Sequence, residues 1–197
     1  MNQKINLITE TVEYNGNLEE AINNILASLK TPHAFRQFIN LLSEVIFKDE
    51  RYKPAIEILY SKMPDNLDVL QARVNAYSLD HPIPYIKVLE EAVMVLHQFH
   101  SHHSKMPEYY VIIGGEYISL NEFHKAIPPL TLAIKHYNST KDNPEIYTSA
   151  LSFRAHAYLK THQRALAEVD ILLLSQIKPY NKLTQRLLKE LKPIIVN

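Results

Sequence analysis

Tyr110-Val111-Ile112-Ile113-Gly114-Gly115-Glu116-Tyr117, followed by Ala126-Ile127-Pro128-Pro129-Leu130-Thr131-Leu132-Ala133, reads as two helices shaped to pack unusually close. Gly114 removes the side chain where the helices meet, and Tyr117 is expected to fill the space beside it. Ala126 and Ala133 keep the second helix slim on the side where the next element docks. Pro128-Pro129 falls soon after Ala126, so the second helix is expected to kink or to start late.

The alanine recurs. Leu18-Glu19-Glu20-Ala21-Ile22-Asn23-Asn24-Ile25-Leu26 is echoed by Leu89-Glu90-Glu91-Ala92-Val93-Met94-Val95-Leu96. Ala55 with Leu59, Ala126 with Leu130, and Ala167 with Ile171 repeat the pair. The intervals Ala21–Ala55 and Ala92–Ala126 are both 34, while Ala55–Ala92 is 37 and Ala126–Ala167 is 41. Each longer interval holds an insertion. One is Asp80-His81-Pro82-Ile83-Pro84, whose prolines are expected to lie outside a helix. The other is Asn138-Ser139-Thr140-Lys141-Asp142-Asn143-Pro144, a polar turn cluster.

A regular interval of 34 with glycine, tyrosine and two alanines at these offsets resembles the tetratricopeptide repeat family. The resemblance covers nearly the whole chain and is strongest over Gly16–Leu26 and from Pro107 to about residue 180. Ala150-Leu151-Ser152-Phe153-Arg154-Ala155-His156-Ala157-Tyr158 and Ala165-Leu166-Ala167-Glu168-Val169-Asp170 carry it in the fifth repeat, where either Ala165 or Ala167 can be equated with Ala126. The first helix of the third repeat lacks the glycine and tyrosine. The family implies an all-α fold, a right-handed α-solenoid of about five antiparallel helix pairs forming a single domain. Repeats would span about 2–35, 36–65, 66–103, 107–140 and 145–180, with a C-terminal capping helix at 182–196. That last segment is amphipathic at helical period, with Leu183, Leu187, Leu188, Leu191 and Ile194 on one stripe.

Punctuation agrees with this division. Thr31-Pro32 and Asn143-Pro144 read as an N-cap followed by proline in the first turn, and Asp65-Asn66 and Asn181 read as caps. Three glycines in 197 residues suit helices joined by short polar turns better than a sheet.

Composition narrows the function. The 21 basic and 21 acidic residues cancel, so no global field draws in nucleic acid. The absence of cysteine excludes disulfides, thiolate catalysis and Cys-ligated zinc. The sequence carries no long apolar stretch for a secretory signal or a membrane span, so a cytoplasmic protein without membrane contact is the expectation. No phosphate loop, His-Glu-x-x-His or Gly-x-Ser-x-Gly is present, and neither catalysis nor a cofactor is expected. His97, His100 and His103 would share one face if they lay on one helix, which would make a metal-dependent enzyme the runner-up. A polar helix end favoured by the dipole is the plainer reading, and no metal is expected. Glu19-Glu20 and Glu90-Glu91 read as solvated acids in a helix's first turn. Asn138-Ser139-Thr140, a glycosylation sequon, reads as turn chemistry.

The expected function is therefore non-catalytic binding of another protein or peptide, as adaptor, assembly factor or client-specific chaperone. A small inhibitor blocking one partner and a homodimer are the other protein-binding options. In the family, first helices line a concave groove. The matching positions here are Asn6, Glu10, Asn40, Glu44, Val111, Gly115, Ile118, Ser119, Ser152, Phe153, His156 and Leu159. The Lys/Asn clamp by which some members grip a terminal carboxylate has no counterpart at Asn6/Glu10, Val111/Gly115 or Ser152/His156.

Overall fold

The structure is a computed structural model that describes residues 2–101, 103–137 and 143–191. Among the described residues every regular element is helical. The α-helices are α1 (Asn2–Glu13), α2 (Leu18–Ser28), α3 (Pro32–Lys48), α4 (Lys53–Lys62), α5 (Leu67–Tyr77), α6 (Pro82–Phe99), α7 (Lys105–Ser119), α8 (Phe123–His136), α9 (Pro144–Lys160), α10 (Arg164–Ile177) and α11 (Lys182–Leu191). A 3-10 turn, Glu50–Tyr52, leads into α4.

Helix starts follow the capping residues. The Thr31 hydroxyl accepts from the Ala34 amide at 3.1 Å, and Asn143 Oδ1 accepts from the Glu145 amide at 2.9 Å. Asn66 Oδ1 accepts from the Asp68 and Val69 amides, and Asn181 Oδ1 from the Leu183 amide. Each satisfies donors that a helix start leaves orphaned.

Three turns within helix pairs share one construction that needs no glycine. Asn15, Asn121 and His162 have φ of 51°, 61° and 61°, the left-handed region. Around each, two amides reach back into the preceding helix. They run from Asn15 to Val12 and Gly16 to Thr11, from Asn121 to Ile118 and Glu122 to Tyr117, and from His162 to Leu159 and Gln163 to Tyr158. This is the Schellman motif, closing the last free carbonyls of α1, α7 and α9.

Two pairs of prolines behave differently from expectation. Pro82 and Pro84 open α6, and they do not lie outside it. Amides of the first turn have no partner inside the helix, so proline loses nothing there. Glu90 and Glu91 consequently sit in the middle of α6. Pro128 and Pro129 lie inside α8, which nonetheless starts at Phe123. The carbonyls they orphan belong to His124 and Lys125, which are exposed and can bond water.

Backbone contacts group the chain into two compact units, Met1–Val95 and Leu96–Asn197. In the first, α1 packs on α2 and α3, α2 on α4, α3 on α5, and α4 on α5. Its core holds Ile8, Ile22, Phe38, Leu42, Ala55, Ile56, Leu59 and Val69. In the second, α7 packs on α8 and α9, α8 on α9, α9 on α10 and α11, and α10 on α11. Leu151, Ala155, Ala167, Ile171, Leu174 and Leu187 form one cluster there, and Ala126, Leu130 and Ala157 another.

The recurring alanines are all buried: Ala21 at 6% exposure and Ala55, Ala92, Ala126 and Ala167 at 0%. Ala165 is exposed, whereas Ala167 is buried as Ala126 is. Gly114 lies against Leu130, as the close approach of α7 and α8 requires. The segment 138–142, with the Asn138 sequon, lies outside the described residues, as do His102 and residues 192–196 of the expected capping helix.

Candidate functional site

The expected groove positions divide between the two units. In the first, Asn6 and Glu10 are exposed on α1, and Asn40 and Glu44 are exposed on α3. Glu44 helps line an open cleft of about 490 Å³ between α3 and α5, together with Ser43, Phe47, Lys48, Asn75 and Ser78. Asn6, Glu10 and Asn40 lie outside that lining. The hydroxyls of Ser43 and Ser78 donate to the carbonyls of Ile39 and Asn75, at 2.9 and 2.8 Å. Asn75 Oδ1 accepts from Gln71 Nε2 at 2.9 Å. Beside these internally bonded groups, the cleft offers the Phe47 ring together with an acid, Glu44, and a base, Lys48. Phe47 is 68% exposed, an uncommon state for so large an apolar side chain.

Phe47 escaped the sequence reading, but a signal exists. Phe38, Ile39, Leu42 and Ile46 form the buried stripe of α3, and Phe47 stands off it. A large apolar residue off the stripe, near a helix end, marks a contact made outside the core.

In the second unit the expected groove positions are mostly taken up by helix packing. A β-carbon on Gly115 would sit 3.4 Å from Phe153 Cε2, so α7 and α9 meet through this pair. Ile118 and Phe153 pack against the Ala126–Leu130–Ala157 cluster, and Leu159 packs against the Leu151 cluster. Val111 is half-buried on α7. Ser152 is buried, its hydroxyl donating to the Thr148 carbonyl at 2.8 Å. Ser119 is exposed and its hydroxyl donates to the Glu116 carbonyl at 2.7 Å. His156 is half-buried edge-on to Phe123, with ring centroids 5.7 Å apart. Burial pushes its pKa down, and Lys160 and Arg186 add to the shift. A smaller cleft of about 190 Å³ opens beside Ser152 and Phe153, with Thr148, Lys178 and Thr184 on its walls.

His97, His100 and His103 do not share a helix face, because α6 ends at Phe99. His97 Nε2 lies 2.7 Å from the Tyr110 hydroxyl, and Tyr110 stacks on His136 at 5.9 Å. His103 sits in the connector, where its Nδ1 accepts from the Lys105 amide at 3.1 Å and so caps the start of α7. Burial lowers its pKa, helped by His100 and Lys105. Among the described residues no group of three His, Cys, Asp or Glu side chains is placed to hold a metal ion.

Two arginines tie helices together inside the units. Arg73 of α5 is 7% exposed, and its Nε donates to Glu57 Oε1 of α4 at 2.8 Å. Its Nη1 is 2.7 Å from Glu91 Oε2 of α6, and the guanidinium lies 4.1 Å from the Tyr60 ring centroid. Arg154 of α9 grips Asp170 of α10 through two bonds of 2.8 and 2.7 Å and donates to the Thr131 hydroxyl of α8 at 3.2 Å. Arg73 thus links α5 to α4 and α6, and Arg154 links α9 to α8 and α10. Glu91, expected to be a solvated first-turn acid, belongs to the first of these networks. Both arginines are better read as structural ties than as binding groups.

No family model, no curated protein and no solved structure matches this chain. Among the described residues no helix is long and apolar enough to cross a membrane.

Proposed function

We propose that this chain is a non-catalytic protein-binding module of the tetratricopeptide-like class. Its helix pairs would stack as a right-handed solenoid within each unit and work in the cytoplasm. Three features support the class. Alanines at matched intervals are buried, left-handed turns recur at the same place in three pairs, and first helices pack on first helices in both units.

The observation that carries the reading is the α3–α5 cleft with Phe47 bared beside Glu44 and Lys48. Its occupant is a peptide or helix of another protein. An apolar anchor would cover the Phe47 ring, and polar groups would meet Glu44 and Lys48. The second unit contributes to the fold in this reading, since Gly115, Ile118 and Phe153 are spent on contacts between α7, α8 and α9.

Affinity capture with the full chain, run beside Phe47→Ala and Glu44→Lys, tests this. Both positions are exposed, so circular dichroism should be unchanged in either variant. The expected result is a stoichiometric partner retained by the native chain and lost by both variants. A partner retained equally by all three would remove the cleft from the account. Turnover of a substrate by the purified chain would remove the non-catalytic reading.

A further inference from the structure

Helix α10 has two apolar stripes where a surface helix needs one. Ala167, Asp170, Ile171 and Leu174 are buried. Leu166, Val169, Leu172, Leu173 and Ile177 remain 48, 56, 49, 36 and 46% exposed. Positions 166, 169, 173 and 177 follow steps of three and four, so they lie along one face over the length of the helix. That is the anchor spacing of a helix that receives another helix.

The charge around this face restricts what can cover it. On α9, α10 and α11 together the exposed basic residues are Lys160, Arg164, Lys182, Arg186 and Lys189, against the exposed acids Glu145, Glu168 and Glu190. The residues of the second unit, 96–197, include twelve Lys and Arg against eight Asp and Glu, whereas residues 1–95 include nine against thirteen. The neutral total hides this division. A two-fold contact centred on α10 would set a basic unit against its own copy, and like charges oppose such a pairing. An acidic partner meets the same face with attraction.

We propose that the exposed face of α10 docks an acidic amphipathic helix of a partner protein. The apolar face of that helix would cover Leu166, Val169, Leu173 and Ile177, and its carboxylates would meet the exposed lysines and arginines of α9, α10 and α11. This surface is separate from the α3–α5 cleft and does not depend on it.

The probes are two synthetic heptad peptides with leucine at the a and d positions, one with glutamate and one with lysine at the solvent positions. Fluorescence anisotropy reads their binding to the full chain. The glutamate peptide should bind, weaken as salt rises, and bind at least about tenfold better than the lysine peptide. Val169→Ser and Leu173→Ser together should weaken it about tenfold or more, with unchanged circular dichroism because both sites face solvent. Phe47→Ala should leave it unaffected. Equal binding of the two peptides, or undiminished binding to the serine variant, would overturn the proposal. So would sedimentation of the chain alone as a dimer that Leu173→Glu splits, which would make the occupant a second copy.

Discussion

A β-carbon placed on Gly114 would lie 2.5 Å from Leu130 Cδ2 and closer still to Cγ. Alanine in a helix interior normally gains up to about 1 kcal/mol over glycine, so the sign at this position depends on the clash. Leu130 is fully buried, and the colliding atom is its branch carbon, which cannot swing aside. Gly114→Ala should therefore lose about 1–3 kcal/mol in urea unfolding. Combined with Leu130→Ala, the loss should be smaller than the two single losses added, because the cavity accepts the methyl. His162 tests the opposite sign. It holds a φ of 61° that costs a residue with a β-carbon roughly 1 kcal/mol, so His162→Gly should raise stability by up to about that amount. A fall instead would mean that the imidazole makes a contact worth more than the strain.

Helices are held to one another by apolar stripes and by Arg73 and Arg154, and the arginines differ in what their loss exposes. Asp170 is 1% exposed, so Arg154→Ala would strand a buried carboxylate at a cost of about 3 kcal/mol or more. Glu57 and Glu91 are 36% and 34% exposed and can turn to water, so Arg73→Ala should cost less. Denaturation midpoints should rank the variants in that order, and Arg154→Met with Asp170→Leu should recover most of the loss. The start of α7 should respond to acid. His103 has a pKa below its ordinary 6.5 when folded and caps the Lys105 amide through an unprotonated Nδ1. Its contribution is complete above 6.5 and declines as pH falls through the folded value. Protection of the Lys105, Met106 and Glu108 amides, taken relative to their intrinsic exchange rates, should fall as the pH drops through that value, and His103→Asn, which keeps an acceptor, should remove the dependence. The sequence foretold most of these elements because periodicity and capping are local. Thr31, Asn66, Asn143 and Asn181 announce helix starts by their own side chains. It misjudged Pro82 and Pro84 because a proline's cost depends on which turn it occupies. The proximity of Gly115 to Phe153 could not be read from it, since contact between distant helices leaves no local mark.

At the scale of the molecule, a neutral chain divides into an acidic unit and a basic one, and each offers a different surface. The first presents a cleft with an exposed ring, the second a helix face with exposed apolar side chains. Phe47 was legible only as a residue off its stripe, and the charge division only after the contacts had set the boundary at Val95. The direct test of a binding module is a footprint of the copurified partner by hydrogen exchange on the full chain. Partner binding should slow exchange across residues 40–48 of α3 and 75–78 at the end of α5. Protection that leaves both segments unchanged while another surface is covered would contradict the account.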